Sequence, residues 1–272
     1  MPFLTIGYKR LHYTDYAPAS SDSASSSPPR STLILHHGLG SSQNFYAPIV
    51  PALTQAGHRV ITFDATGAGR SPYTQVEQSV ATLAADVLAI LDALSVPSAI
   101  VGGHSMGGLV AAHLAATASS ARIAAAILIG PVYPSDAVSR LFEKRVETVE
   151  RDGMDAMANS IPAAATAKRA SPVARAFIRE LLLAQDAAGY VSNCRVIANA
   201  ARPDYEKISV PVLLLAGDED KSAPLEMCKK QFGEIGSPDK ALEVLPGVGH
   251  WHCIEAPEVV AEKILAFCKR IQ

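Results

Sequence analysis

Residues 103–107 have the sequence G-H-S-M-G and constrain the fold of this chain more than any other segment. The apolar residues 99–101 precede them and the apolar residues 109–114 follow, which predicts a buried strand, a sharp turn and a helix. This kind of turn strains the backbone of the central Ser105 and holds its hydroxyl at the positive end of the helix. Gly103 and Gly107 have no side chain, so they avoid a collision with the neighbouring strand and helix. The alternative interpretation is a glycine-rich turn that only packs the helix on the sheet.

Short apolar segments alternate with segments of helical periodicity along much of the chain. The apolar pattern predicts strands at residues 3–8, 11–16, 32–36, 59–63, 98–104, 123–129, 210–216 and 241–245. The helical pattern predicts helices at residues 43–56, 79–95, 105–119 and 225–234, and a last helix near the carboxyl terminus. Buried strands that alternate with helices are typical of a mostly parallel sheet covered on both faces. We therefore expect an α/β fold with an eight-stranded sheet.

Residues 134–208 interrupt this alternation, because they show helical patterns and no convincing strand. We expect residues 1–133 and 209–272 to form an α/β core, and residues 134–208 to form a helical cap, or lid. An insertion at this point would cover the carboxyl ends of the strands. Residues 17–31 are rich in serine, alanine and proline, which predicts an exposed, mobile loop without a catalytic role.

Charge and cysteine content narrow the class of protein. The net charge of the 272 residues is −2, which gives no reason to expect binding to nucleic acid or to an anionic membrane. The four cysteines lack a CxxC spacing, which favours free thiols in a reducing compartment. No apolar run suits a membrane helix or a secretory signal, so we expect a cytoplasmic protein. Only 18% of the residues are charged, which is typical of a large core, an apolar pocket or a homodimer interface.

A serine hydroxyl becomes a strong nucleophile only beside a base, and the base needs a group that orients it. The sequence G-D-E-D at 217–220 follows one predicted strand, and His250 follows the last one. Because the carboxyl ends of parallel strands meet at one edge of a sheet, these loops and Ser105 should converge there. We predict that Ser105 is the nucleophile, His250 the base and Asp220 the acid that orients His250. A small-molecule substrate would then need no cofactor and no metal.

Other residues compete for two of these roles. Asp218 and Glu219 are too close in sequence to the chosen acid to be excluded by spacing alone, although Asp218 is also suited to folding the turn. His252 competes with His250 as the base. A metal site at His250, His252 and Cys253 is disfavoured, since no matching set of ligands is evident.

Attack on a carbonyl produces a negatively charged oxygen, which needs fixed hydrogen-bond donors. One predicted donor is the backbone N–H of Met106, directly after the nucleophile. The second is the N–H of Leu39 in the loop H-G-L-G after the third predicted strand, where Gly38 lets the backbone turn. An ordinary glycine turn is the alternative for this loop. We expect Phe45 and Trp251 to line the substrate pocket.

These motifs together resemble the α/β-hydrolase superfamily. Its marks are H-G-L-G at 37–40, D-x-x-G-x-G-x-S at 64–71, G-H-S-M-G-G at 103–108, G-D-E-D at 217–220 and G-x-G-H at 247–250. The resemblance implies the α/β-hydrolase fold, and it implies that the second aspartate of G-x-x-D, Asp220, is the acid of the triad. Within the insertion, residues 145–149, 153–158 and 186–190 resemble the lid of 3-oxoadipate enol-lactonases.

The leading hypothesis is a serine hydrolase that cleaves a small carboxylic ester or lactone through an acyl-enzyme. The same triad would also serve a hydrolase of carbon–carbon bonds in ring-fission products, or a biosynthetic cyclase or acyltransferase. A non-catalytic ligand sensor that retains the triad is the alternative from another class. Residue patterns around Ser105 do not separate these functions.

Overall fold

The computed structural model describes residues 2–19 and 29–272 of the chain. Its strands are β1 (Phe3–Ile6), β2 (Lys9–Tyr16), β3 (Thr32–His36), β4 (Arg59–Phe63), β5 (Ala99–His104), β6 (Ile123–Ile129), β7 (Val212–Gly217) and β8 (Lys240–Leu245). They form one sheet in the order β1-β2-β4-β3-β5-β6-β7-β8. β2 pairs antiparallel with β1 and β4, and all other neighbours are parallel. The expected eight-stranded, mostly parallel sheet is therefore confirmed.

Helices cover both faces of this sheet. They are α1 (Val50–Gln55), α2 (Val80–Ala93), α3 (Met106–Thr117), α4 (Asp136–Ala164), α5 (Pro172–Leu183), α6 (Ala187–Ala198), α7 (Leu225–Glu234), α8 (His252–Glu255) and α9 (Pro257–Arg270). Every residue of β3, β5 and β7 is buried. Since successive side chains of a strand point to opposite faces, neither face of the central sheet is open to solvent.

The predicted helix at residues 43–56 is divided in the structure. A single 3-10 turn spans Gln43–Tyr46, and α1 begins only at Val50. Pro48 and Pro51 explain the break, because proline has no backbone N–H and disfavours the helical conformation of the residue before it. Pro51 is tolerated in the first turn of α1, where its missing N–H would have no partner.

Helices α4, α5 and α6 form the insertion between β6 and β7, and α4 contacts both of the others. The insertion contains no strand, as the sequence predicts. Gly153 interrupts α4 with φ 70° and ψ −170°, a conformation that only glycine adopts readily, and the helix kinks there. The division into a core and a cap with the predicted boundaries stays a prediction.

The mobile loop predicted at residues 17–31 falls largely on residues 20–28, which lie outside the described residues. The flanking residues 17–19 and 29–31 have no helix or strand. None of the helices in residues 2–19 and 29–272 is both long and apolar enough to cross a membrane.

Parallel pairing aligns the carboxyl ends of β3, β5, β6, β7 and β8 along one edge of the sheet. The loops after β3, β5, β7 and β8 contain the residues that the sequence assigned to the site. In parallel α/β proteins, ligands bind outside this edge.

Candidate active site

Ser105 joins the end of β5 to the start of α3, and its backbone has φ 54° and ψ −111°. A Cβ atom at Gly103 would lie 1.9 Å from the carbonyl oxygen of Gly107. A Cβ atom at Gly107 would lie 2.0 Å from the carbonyl oxygen of His36 on β3. Both distances are far below van der Waals contact, so the glycines allow helix, turn and neighbouring strand to pack this closely, as the sequence predicts.

His250 and Asp220 are joined by a hydrogen bond. The imidazole Nδ1–H donates to Oδ2 of Asp220 across 2.8 Å. The other carboxylate oxygen accepts the backbone N–H groups of Ser222 and Ala223 at 2.7 and 2.8 Å. The carboxylate is thus fixed on three sides, and Nε2 of His250 is left as the proton-accepting nitrogen.

The environment of Asp220 favours its ionised form. Burial by itself would raise the pKa of this carboxyl, but His250, through its charge and its hydrogen bond, acts against burial. His252 and the N–H of Ala223 add to this effect, and the pKa lies below its ordinary value of 3.8. Asp220 can therefore stabilise a positive charge on His250.

Neither alternative acid is hydrogen-bonded to His250. Asp218 accepts the backbone N–H of Gly247 at 2.5 Å and so links the loops after β7 and β8. Glu219 accepts the N–H of Lys168, in the segment between α4 and α5, at 3.0 Å. Both carboxylates hold loops together, while Asp220 alone among the three contacts the imidazole.

Ser105 and His250 line the same cavity. Among the described residues, the hydroxyl of Ser105 has no hydrogen-bond partner. Ser105 therefore faces the same cavity as the His250–Asp220 pair but is not hydrogen-bonded to it. In enzymes without bound substrate, hydrogen bonds between nucleophile and base are often long or poorly aligned.

The two predicted oxyanion donors belong to segments that adjoin Ser105. Met106 is the first residue of α3, where the N–H has no partner within the helix. Leu39 lines the cavity beside Ser105. A Cβ atom at Gly38 would lie 2.6 Å from Nδ1 of His104 and 3.0 Å from the Cβ of Ser105, so only glycine lets this loop approach the serine so closely. The oxyanion role of the two N–H groups stays a prediction.

Two further histidines support the backbone of His250. Nε2–H of His104 and Nδ1–H of His252 both donate to its carbonyl oxygen at 2.8 Å. Nε2 of His252 accepts the N–H of Gly217 at 3.1 Å. Burial lowers the pKa of His252 to about 4 and that of His104 well below 6.5, so both rings remain neutral. His252 therefore links the end of β7 to the loop of the candidate base.

Glu255 is a further supporting residue, and sequence reasoning missed it. One carboxylate oxygen accepts the N–H groups of Ala167 and Gly249 at 2.7 and 3.1 Å, and the other accepts that of Trp251 at 2.9 Å. The N–H of His250 donates to the carbonyl of Ala165 at 2.8 Å. The loop of the candidate base is thus tied to the segment after α4.

A cavity of about 600 Å³ opens over Ser105. Most of its lining side chains are apolar and come from α4 and the loops after β6 and β7. The lining residues are Leu39, Ser105, Pro131, Val132, Tyr133, Ser135, Ala137, Val138, Leu141, Phe142, Arg145, Ile161, Ala164, Ala165, Lys221, Ser222, Ala223, Pro224, Met227, His250 and Trp251. This volume suits a small organic molecule.

One of the two predicted pocket residues does not line this cavity. Trp251 lies in the wall, as expected. Phe45 is completely buried, and its ring stacks on His104 with 4.2 Å between centroids. The prediction for Phe45 was wrong, because the short turn that carries it packs beneath the serine turn instead of facing the substrate side.

The family model of the serine aminopeptidase family S33, Hydrolase_4, matches residues 27–257. The chain belongs to this family. It is therefore a hydrolase of the α/β-hydrolase superfamily, and the resemblance inferred from its motifs is confirmed.

Named relatives agree with the family and with the narrower resemblance. The chain is 32% identical to RutD of Variovorax paradoxus, a protein named for carbamate hydrolysis, over 96% of this chain and 97% of the relative. It is 30% identical to 3-oxoadipate enol-lactonase 1 of Acinetobacter baylyi over 88% of this chain and 89% of the relative. The crystal structure of the enol-lactonase from Burkholderia xenovorans LB400 superposes with a TM-score of 0.88 at 26% identity, covering 98% of this chain and 100% of that one.

Proposed function

We propose that this protein is a serine hydrolase that cleaves a small carboxylic ester or lactone through an acyl-enzyme. The observation that carries the proposal is the hydrogen bond between His250 and Asp220 at the cavity that contains Ser105. This bond leaves Nε2 of His250 unprotonated on a ring whose charged form Asp220 stabilises.

In the first half of the reaction, Oγ of Ser105 attacks the carbonyl carbon while its proton moves to Nε2 of His250. The carbonyl oxygen becomes negatively charged and accepts hydrogen bonds from the N–H groups of Leu39 and Met106. The bond from carbon to the leaving oxygen then breaks, and His250 returns the proton to that oxygen. The products are an acyl-enzyme and an alcohol.

In the second half, His250 takes a proton from water, and the resulting hydroxide attacks the acyl carbon. Collapse of this intermediate breaks the bond to Ser105, whose oxygen recovers the proton from His250. An ester releases an acid and an alcohol, whereas a lactone gives one hydroxy acid because its leaving oxygen stays attached to the acyl group.

The competing reactions use the same residues. A carbamate carbonyl can react at this site, and the name of the 32% identical relative makes it the second candidate substrate. Carbon–carbon bond hydrolysis, cyclisation and acyl transfer differ in the leaving group or in the molecule that replaces water. A panel of p-nitrophenyl esters, simple lactones, enol-lactones and carbamates separates them by product analysis.

Replacement of Ser105 by alanine tests the proposal. We expect Ser105→Ala to lower kcat for the best ester or lactone by about a thousandfold or more, and to abolish labelling by a fluorophosphonate probe. The exposed Ser160, on α4, provides the control variant Ser160→Ala, which should retain activity and labelling. Unchanged turnover in Ser105→Ala would falsify the proposal and favour a sensor.

We further infer a cytoplasmic location, since all four cysteines are unpaired and buried, which suits a reducing compartment. We also propose that residues 134–208 act as a cap, because α4 contributes several walls of the cavity. A homodimer stays a prediction, which light scattering coupled to size-exclusion chromatography tests.

A further inference from the structure

The motif D-x-x-G-x-G-x-S at residues 64–71 takes no part in the proposed reaction, yet its loop after β4 lies beside the loop that contains Leu39. We name residues 37–42 the oxyanion loop and residues 64–71 the motif loop. The carboxylate of Asp64, which is 2% exposed, accepts the N–H of Gln43 at 2.8 Å and that of Arg70 at 2.9 Å. Asp64 therefore ties the motif loop to the residue that directly follows the oxyanion loop.

The corner between α5 and α6 of the insertion packs against both loops. A Cβ atom at Gly189, in α6, would lie 2.2 Å from the carbonyl oxygen of Gly67 in the motif loop. A Cβ atom at Gly40, in the oxyanion loop, would lie 2.6 Å from Cδ2 of Leu182 in α5. The insertion thus contacts the motif loop at backbone distance, and α5 fills the space next to Gly40.

Gln185 lies at this corner and is only 7% exposed. Its amide nitrogen donates to the carbonyl oxygens of Ser41 and Leu181 at 3.2 and 2.7 Å. Its amide oxygen accepts the N–H of Gly69 across a longer distance of 3.4 Å. One buried side chain therefore joins α5 to the oxyanion loop and to the motif loop.

The backbone around Leu39 has few hydrogen bonds. Within residues 2–19 and 29–272, the N–H and carbonyl groups of Leu39, Gly40 and Ser41 take part in one, which Ser41 accepts from Gln185. Gly40, with φ 72°, adds little stiffness to this segment. Met106, the other predicted donor, is fixed instead by the first turn of α3. Of the two donors, Leu39 is therefore the one whose position depends on the insertion.

Building on the proposed function, we infer that Gln185 is a positioning residue that holds the oxyanion loop and, through it, the N–H of Leu39 toward the reacting carbonyl. Donors to a developing oxyanion are effective because they are fixed before the reaction begins. Loss of one such donor lowers kcat about a hundredfold to a thousandfold, and a loosened donor loses part of that. The insertion thereby contributes to catalysis as well as to the cavity walls.

Gln185→Met removes the amide and keeps an unbranched side chain of similar length. We expect kcat and kcat/KM for the best p-nitrophenyl ester to fall together, about tenfold or more, because the lost interaction is made in the transition state. Butylboronic acid, which forms a tetrahedral anion with Oγ of Ser105, should inhibit this variant more weakly by a similar factor. A higher KM with an unchanged kcat would overturn the inference.

Gln231→Met is the matched control. Gln231, on α7, is fully buried, donates to the hydroxyl of Tyr205 at 2.9 Å and does not line the cavity. Its substitution should lower stability without changing kcat or the inhibition constant of butylboronic acid. Equal effects of the two substitutions on kcat and on inhibition would show that Gln185 supports only the fold.

Gly189→Ala displaces α6 without removing a side-chain hydrogen bond, since the new Cβ atom collides with the backbone of Gly67. We expect the same joint fall of kcat and kcat/KM. Gly233→Ala, on α7, is its control, because a Cβ atom there meets no described atom within 4 Å. Wild-type kcat in Gly189→Ala would contradict the dependence of Leu39 on the insertion.

Hydrogen exchange measured by mass spectrometry tests the position of the loop without turnover. Peptides that cover residues 37–46 should exchange faster in Gln185→Met than in the wild-type protein or in Gln231→Met. Unchanged exchange would overturn the inference. Faster exchange in a protein that cleaves no ester, lactone or carbamate would contradict the proposed function and leave the hold of Gln185 on the loop intact.

Discussion

Ser105 has a positive φ angle, which costs a serine about 1–3 kcal/mol relative to ordinary backbone conformations. Three backbone hydrogen bonds hold this conformation in place. Its N–H donates to the carbonyl of Ile129 at 2.9 Å, and its carbonyl accepts from Leu109 and Val132 at 3.1 and 3.2 Å. Neighbouring strand, helix and loop therefore fix the backbone of the turn before any substrate binds.

His252 gives the most informative prediction at the scale of single residues. We expect His252→Ala to lower kcat about tenfold or more with little change in KM, because the carbonyl of His250 and the N–H of Gly217 both lose a partner. His252→Gln should recover part of the activity, since an amide can both donate and accept. The rate of inactivation by a fluorophosphonate should change in parallel, because it reports the reactivity of Ser105.

The control is His113→Gln, on the outer part of α3, where the ring is half-buried and lies outside the cavity. Equal inactivation rates for wild type and His252→Ala would show that His252 supports only the fold.

At the scale of elements, the loop after β8 is held from two directions. His104 and His252 bind the carbonyl of His250 from the sheet side, and Ala165 binds its N–H from the insertion. Glu255 in α8 accepts one backbone N–H from the segment after α4, that of Ala167, and two from this loop, those of Gly249 and Trp251. The position of the candidate base thus depends on the insertion as well as on the core.

Glu255→Gln should show how much the hydrogen bonds of Glu255 contribute to stability and to the position of the loop that contains His250. The amide nitrogen cannot accept a hydrogen bond, so at least one backbone N–H loses its partner, and the free energy of unfolding should fall by about 1–3 kcal/mol. We also expect a lower kcat, because the loop that contains His250 becomes less constrained. Urea unfolding and steady-state kinetics measure both effects.

Glu262→Gln, an exposed position on α9, is the matched control and should change neither quantity. A Glu255→Gln protein with wild-type stability and wild-type kcat would show that the three hydrogen bonds contribute little to the loop.

At the scale of the whole molecule, buried histidines couple stability to pH. Burial is the main cause that lowers the pKa of His36 to about 3 and of His252 to about 4, and it also lowers that of His104. In the unfolded chain these rings take up protons near the ordinary value of 6.5, whereas in the folded chain they stay neutral. Acid therefore favours the unfolded state.

We predict that the free energy of unfolding is highest above pH 6.5 and falls between pH 6.5 and about 4. Each such histidine contributes about 1.4 kcal/mol per pH unit once its unfolded form is fully protonated. Asp220 acts in a lower window, because its pKa is depressed; its contribution is present above pH 3.8 and is lost as pH falls through the lowered pKa. Urea unfolding at pH 7.5, 6.5 and 5.5 measures the slope.

His36→Asn should reduce the slope of stability against pH below 6.5, since one proton-binding group is removed from the unfolded chain. A slope that is zero between pH 6.5 and 5 in the wild-type protein would contradict this assignment. Activity recorded at the same pH values shows whether catalysis is lost before the protein unfolds.

The sequence alone determined the features that depend on neighbouring residues. Apolar runs, glycine spacing and the order of Ser105, G-D-E-D and His250 predicted the eight-stranded sheet and the serine turn. They also predicted that three distant loops share one sheet edge. These features follow from short-range sterics and hydrophobic periodicity, and both are visible in the order of residues along the chain. Pro48 and Pro51 were visible signals that the predicted helix at 43–56 would break.

Only the tertiary structure decided which of several similar side chains meets which partner. Asp218 and Asp220 are two residues apart, yet one holds a loop and the other contacts His250. Phe45 packs against His104. The side chains of Glu255 and Arg145 lie beside residues that are far away in sequence. Spacing does not encode these contacts, because the direction of a side chain after a turn depends on how the elements on both sides of it pack.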